Sequence, residues 1–192
     1  MTDNHDVKKE KHVLSEEEKR RLLEIARSSI ESRLKGRKAP PLSTDSGGLK
    51  EKRGVFVSLH KRGKLRGCIG CIEARFPLNS TVHEMAHAAA FCDPRFPPLA
   101  PEEWKDLDIE ISVLTPLKEI KDIKEITVGE HGLYIVKGHH CGLLLPQVAV
   151  QYGWDRMTFL EETCYKAGLP PGAWRDKDTR IYIFSADVFG SR

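Results

Sequence analysis

A cysteine flanked by glycines and preceded by an arginine, in Leu65-Arg66-Gly67-Cys68-Ile69-Gly70, is the densest chemical signal in the sequence. Glycine weakens a strand interior and marks a bulge or the close approach of a ligand or another chain segment. Positions i and i+2 of a strand share a face, so Arg66 would lie beside Cys68 and favour its thiolate. Cys68 is therefore a candidate nucleophile or redox thiol. Arg66 would be its activator or an anion anchor, with Gly67 and Gly70 leaving a substrate room to approach. An equally compatible reading is a small buried residue at a tight strand crossing. Further along, Asp93-Pro94-Arg95-Phe96 follows a helix end. Asp93 and Arg95, two apart around a proline, form a rigid polar corner, either an internal ion pair or part of a binding surface. Glu110 alternates with inward-pointing isoleucines, which sends it to the other face of its strand. If that face lines a cleft, Glu110 is a candidate acid or base, or an ion-pair partner for Arg66 or Arg95.

Metal readings are weaker. Cys68 and Cys71 form a C-x-x-C, and His83 and His87 an H-x-x-x-H, which together come close to zinc-finger spacing. Pro77 breaks the intervening segment, and on an extended strand Cys68 and Cys71 face opposite sides. In His139-His140-Cys141, adjacent side chains do not converge easily on one ion. Neither group is assigned a metal, and no cofactor is expected: the chain carries no glycine-rich phosphate loop and no dinucleotide fingerprint.

These residues need elements to hold them. Residues 1–14 are polar and mixed in charge and read as a disordered arm. Ser15 and Glu18 form a capping box ahead of Leu22, Leu23, Ala26, Ile30 and Leu34 at helical spacing, and Gly36 supplies the stop. Residues 37–53 read as a long loop. Two alternating segments, 55–60 and 65–73, form a hairpin that turns at 61–64. A helix capped by Asn79 or Ser80 runs to Asp93-Pro94, and 107–114 alternates as a half-buried strand up to Pro116. Short strands at 133–136 and 143–145 precede a helix opened by Pro146 and another capped by Asp155. One last strand occupies 179–189. Strands that return through turns as well as through helices indicate an α+β class with a mixed, largely antiparallel sheet and flanking helices. Residues 15–192 read as one domain.

With 192 residues and 40% hydrophobic content, the chain is long enough for a substantial core. A formal charge of +3 offers no concentrated basic face, which argues against a nucleic-acid partner. The most basic segment, Lys61 to Arg66, reads as a charged hairpin turn. Neither a signal peptide nor a membrane span is legible, so a cytoplasmic location is expected. Five cysteines, an odd number, then point to free thiols.

Taken in order, Leu65-Arg66-Gly67-Cys68-Ile69-Gly70, Asp93-Pro94-Arg95-Phe96, Ile109 to Pro116, Gly142-Leu143-Leu144-Leu145-Pro146-Gln147-Val148, Gly153-Trp154 and Lys166-Ala167-Gly168-Leu169-Pro170 resemble the AMME syndrome candidate protein family, protein A of the AmmeMemoRadiSam system. The resemblance covers roughly Ser15 to Phe189. It implies two unequal lobes forming a cleft, with the segment around Cys68 as the hallmark. It also implies association with a Memo-like protein and a radical S-adenosylmethionine protein, and either a thiol-dependent activity or a nucleic-acid-related role. Cys71 and His139-His140-Cys141 lie outside these motifs. Gln151 stands where members often carry Glu, and no catalytic role is given to it.

Overall fold

The computed structural model describes residues 13–42 and 47–191. The expected N-terminal arm lies outside these residues, apart from Val13 and Leu14. Leu14 is buried in the first core, so the last residue of the expected arm is packed against the fold.

Ser15 caps α1 (Glu16–Leu34) as the sequence predicts: Glu18 N–H donates to Ser15 Oγ at 3.3 Å, and Ser15 N–H donates to Glu18 Oε2 at 2.9 Å. The hairpin strands β1 (Val55–Lys61) and β2 (Lys64–Cys71) meet in a two-residue turn, Arg62-Gly63, with φ of 51° and 74°. Two positive φ values in succession suit the right-handed twist of the strands. Helix α2 (Leu78–Phe91) starts earlier than expected. Pro77 is its N-cap residue, and the Thr81 hydroxyl donates to the carbonyls of Phe76 and Pro77. Burial of Leu78 draws the first turn back past Asn79 and Ser80.

Strand β3 (Leu107–Leu114) leads into β4 (Lys118–Ile120), which sequence reasoning missed, and then β5 (Gly132–Lys137) and β6 (His140–Leu144). Helices α3 (Pro146–Tyr152) and α4 (Arg156–Lys166) follow, the second capped by Asp155 as expected. The strand expected over 179–189 is two strands, β7 (Arg180–Phe184) and β8 (Ala186–Ser191), in different sheets. The apolar alternation runs through Ser185 without marking where the chain changes sheet.

Both sheets are four-stranded and antiparallel, in orders β2-β1-β3-β8 and β4-β7-β5-β6. Helices α1 and α2 cover one face of the first sheet, burying Val55, Val57, Leu59, Ile109, Ile111 and Val113. Helix α4 and Ala149 of α3 cover the second around Leu133, Ile135, Ile181 and Ile183. A third cluster, built on buried Leu114, Leu145 and Phe184 with Phe56, Tyr134, Leu143 and Ala186, joins the two lobes. At roughly 1.5–3 kcal/mol per fully buried large apolar side chain, this cluster outweighs any surface ion pair in holding the lobes together. Among the described residues no helix is long and apolar enough to cross a membrane.

Candidate functional site

The face of the first sheet turned away from α1 and α2 carries a row of side chains. Cys68 on β2, Ser58 on β1, Glu110 on β3 and Gly190 on β8 are successive cross-strand partners. Adjacent strands lie about 4.8 Å apart, so the Cα atoms of Cys68 and Glu110 are about 10 Å apart across Ser58. The Ser58 hydroxyl donates to Cys68 Sγ at 3.3 Å. Cys68 is half-buried, Ser58 buried, and Glu110 partly exposed, with no partner among the described residues.

Because β2 is an edge strand, the N–H and C=O of Cys68 point outward, away from β1. The Asp93-Pro94-Arg95 corner takes up both. Cys68 N–H donates to Asp93 Oδ2 at 2.9 Å, and Arg95 Nη2 donates to the Cys68 carbonyl at 3.1 Å. Arg95 also binds Asp93 in bidentate fashion, Nε to Oδ1 at 2.9 Å and Nη2 to Oδ2 at 2.7 Å, while Arg95 N–H donates to Oδ1 at 3.1 Å. The Arg95 guanidinium and these backbone N–H groups hold the Asp93 carboxyl well below the usual carboxylate range. Asp93 is only 4% exposed, whereas the Arg95 side chain is 51% exposed and keeps an edge towards solvent. Both expected readings of the corner are present at once: an internal ion pair with an outward-facing cation.

Arg66 behaves differently from the i, i+2 expectation. A bulge opposite Leu59 and His60 leaves it without a cross-strand partner. Its Nε and Nη2 grip Glu103 Oε1 and Oε2 at 3.1 and 2.9 Å, and Nη2 also donates to the Pro97 carbonyl at 2.9 Å. The guanidinium beside Cys68 is that of Arg95, held there by its hydrogen bond to the Cys68 carbonyl. Phe96 stands between the two cations, 5.9 Å from Arg66 and 5.5 Å from Arg95.

Glu103 accepts from Arg66, Lys61 and the Ala100 N–H, and its carboxyl is held down to about 2, chiefly by the Arg66 hydrogen bonds. A folded-state value below the ordinary 4.5 means the charged form stabilises the native state. That stability is present above about pH 4.5 and is lost as pH falls towards 2. The shift bounds the contribution at about 3 kcal/mol. Glu103→Gln keeps part of the hydrogen bonding, so it is expected to cost about 2 kcal/mol at neutral pH. It should also flatten the acid limb of a plot of unfolding free energy against pH. An acid limb unchanged by the substitution would remove Glu103 as its source.

The two glycines are divided between the faces. Gly67 faces α2, where a Cβ would lie 2.1 Å from the Ala89 carbonyl oxygen. Gly70 lies on the Cys68 side, under the ring of Phe56, which a Cβ would approach to 2.3 Å. Cys71 is on the α2 side with Ile69, and burial pushes its thiol up. The structure thus brings Cys68, Glu110, Asp93, Arg95 and Gly70 to one face or its rim, sends Gly67 to the opposite face, and commits Arg66 to Glu103. It adds buried Ser58 and Ser112 to the open face. Gln147 in the first turn of α3 reaches over from the second lobe, Nε2 donating to Ser112 Oγ at 3.4 Å. No local sequence pattern marks this amide as reaching the other lobe.

A protein of Methanothermobacter thermautotrophicus is 48% identical over 183 residues, covering 92% of this chain and 95% of that one. Protein PF1979 of Pyrococcus furiosus is 46% identical over 179 residues, covering 88% and 85%. The fold is similar to the crystal structure of the uncharacterized protein PH0010 from Pyrococcus horikoshii, with a TM-score of 0.84 and 44% identity over 89% of this chain and 90% of that one. The AMMECR1 family profile matches residues 23–189, and the chain belongs to that family.

Proposed function

We propose that the face of the first sheet turned away from α1 and α2 is the active site of a thiol-dependent enzyme or enzyme component acting on a small or modified substrate. The observation that carries this reading is the clamp on Cys68. A buried carboxylate and a guanidinium hold its N–H and C=O, while the residue as a whole stays half-buried and its sulfur receives a hydrogen bond from Ser58. Fixing one residue this firmly is what a nucleophile needs, since a small misplacement of a reacting atom costs orders of magnitude in rate. The open edge of Arg95 is placed to hold an anionic group of the substrate. Glu110, one strand beyond Ser58, is placed to exchange a proton with a molecule lying along the row.

The test is alkylation of the folded protein by iodoacetamide, followed for each cysteine by mass spectrometry across pH. Cys68 is expected to react faster than the more exposed Cys92 and Cys141. Arg95→Gln is expected to slow Cys68 and leave the other two unchanged. If Cys68 stays inert while Cys92 and Cys141 react, the clamp is an edge cap only. The same face then becomes a surface for recruiting a Memo-like or radical S-adenosylmethionine partner.

A further inference from the structure

Beside Cys68 and Glu110, the open face of the first sheet carries a second titratable pair. Strand β1 stays in unbroken register with β3 from Val55 to Lys61, so its side chains alternate without a change of phase. Ser58 and His60 therefore share the open face, while Leu59 between them is buried in the first core. Across from His60 on β3 stands Asp108, as Glu110 stands across from Ser58. His60 and Asp108 are half-buried, and neither side chain makes a hydrogen bond or ion pair among the described residues. Directly opposed side chains have Cβ atoms about 5 Å apart, which brings an imidazole N–H within reach of the Asp108 carboxylate. Diagonal neighbours, as His60 and Cys68 are, lie about 7–8 Å apart, a span that an aromatic ring can close. The bulge in β2 acts on this diagonal. Leu59 pairs with Gly67 and His60 with Leu65, so Arg66 is passed over and its guanidinium goes to Glu103. A bulge re-aims side chains, and this one sets an aliphatic residue, not a cation, beside the imidazole. Ser58 donates its hydroxyl hydrogen to Cys68 Sγ, which leaves the thiol's own proton uncommitted to Ser58.

We propose that His60 is the base that takes the proton of Cys68, with Asp108 as the residue that positions its ring. This inference rests on the thiol reading of the same face. The S–H proton moves to one imidazole nitrogen, leaving a thiolate and an imidazolium, and the Asp108 carboxylate accepts from the other ring N–H. The titratable groups that share the open face with His60 on the neighbouring strands are Cys68 on β2 and Asp108 and Glu110 on β3. Both acids favour the imidazolium. Glu110 stays available to the substrate, so activation of the thiol and proton exchange with the substrate fall to different residues.

The test is iodoacetamide alkylation of Cys68 in the folded parent and in variants, each event forming an S–C bond and releasing iodide. His60→Gln is expected to slow Cys68 about tenfold at pH 6, where a thiolate needs a base beside it. At pH 9, where a free thiol is mostly ionised, the two rates should nearly coincide. Asp108→Asn leaves the imidazole in place and should give the same pH dependence with about a threefold loss at pH 6. Cys92 and Cys141 keep their parent rates if the variants are folded. A Cys68 that is inert in the parent removes the thiol reading and the base together. A reactive Cys68 whose rate in His60→Gln matches the parent at pH 6, or falls equally at both pH values, overturns the base and leaves the thiol reading standing.

Discussion

Asp93→Ala is expected to lower the unfolding free energy by about 3 kcal/mol, the upper end for removing a charged hydrogen-bond acceptor and leaving its donor unsatisfied. For a chain of this size that corresponds to a fall of roughly 9 °C in thermal midpoint. The carboxylate is nearly inaccessible and accepts four hydrogen bonds, from Cys68 N–H, Arg95 N–H, Arg95 Nε and Arg95 Nη2. Its loss would leave an edge-strand N–H without its acceptor and free a guanidinium to swing into solvent. Asp93→Asn keeps one acceptor oxygen for Cys68 and should cost about half as much. Calorimetry gives the magnitude, and amide hydrogen exchange at Cys68 locates it. Protection of that one amide should fall further than at its strand neighbours. An alanine variant within about 1 kcal/mol of the parent would mean that Cys68 is held by something other than the clamp.

Gly67→Ala is the second large effect and acts on the opposite face. The added carbon would sit 2.1 Å from the Ala89 carbonyl oxygen and 3.1 Å from its carbon. Both are backbone atoms of α2, so no rotamer change relieves the clash, and the helix itself must move off β2. Overpacking costs about 1–3 kcal/mol where side chains can yield. Here, where they cannot, the loss is expected to reach about 4 kcal/mol or more, enough to deplete soluble protein. Gly47→Ala is the matched control, with ordinary helical φ of −59° and nothing within 4 Å of the added carbon. It should be neutral or slightly stabilising. A Gly67 variant that unfolds like the Gly47 variant would show that α2 has slack against the sheet.

Local rules made much of this fold legible. The capping box at Ser15 and Glu18, the stop at Gly36, the alternation from Leu107 to Leu114 and the cap at Asp155 each depend on neighbours within four residues, and each appears in the structure. What escaped reading depends on distant partners. Arg66 and Cys68 share a face in an unbroken strand, but the bulge opposite His60 shifts the phase by one residue, and only pairing with β1 reveals it. The candidate site was half legible for the same reason. Cys68 and Glu110 were visible by type and alternation, whereas Ser58 gains its meaning from register and Gln147 from the docking of one lobe on the other. The corner at Asp93 and Arg95 was recognisable as rigid and polar. That it closes on the backbone of Cys68 was not, because 25 residues separate them.

The passage of the chain from β7 into β8 sets an order of assembly. Strand β8 completes the first sheet alongside β3, yet it leaves the ribosome only after all of the second lobe, residues 118–184, has been made. Until then the first sheet lacks its fourth strand, and the β3 flank has no partner, the kind of open edge that invites pairing with another chain. Speed of synthesis through the second lobe, more than the intrinsic stability of the first, would then decide how much nascent protein is lost to aggregation.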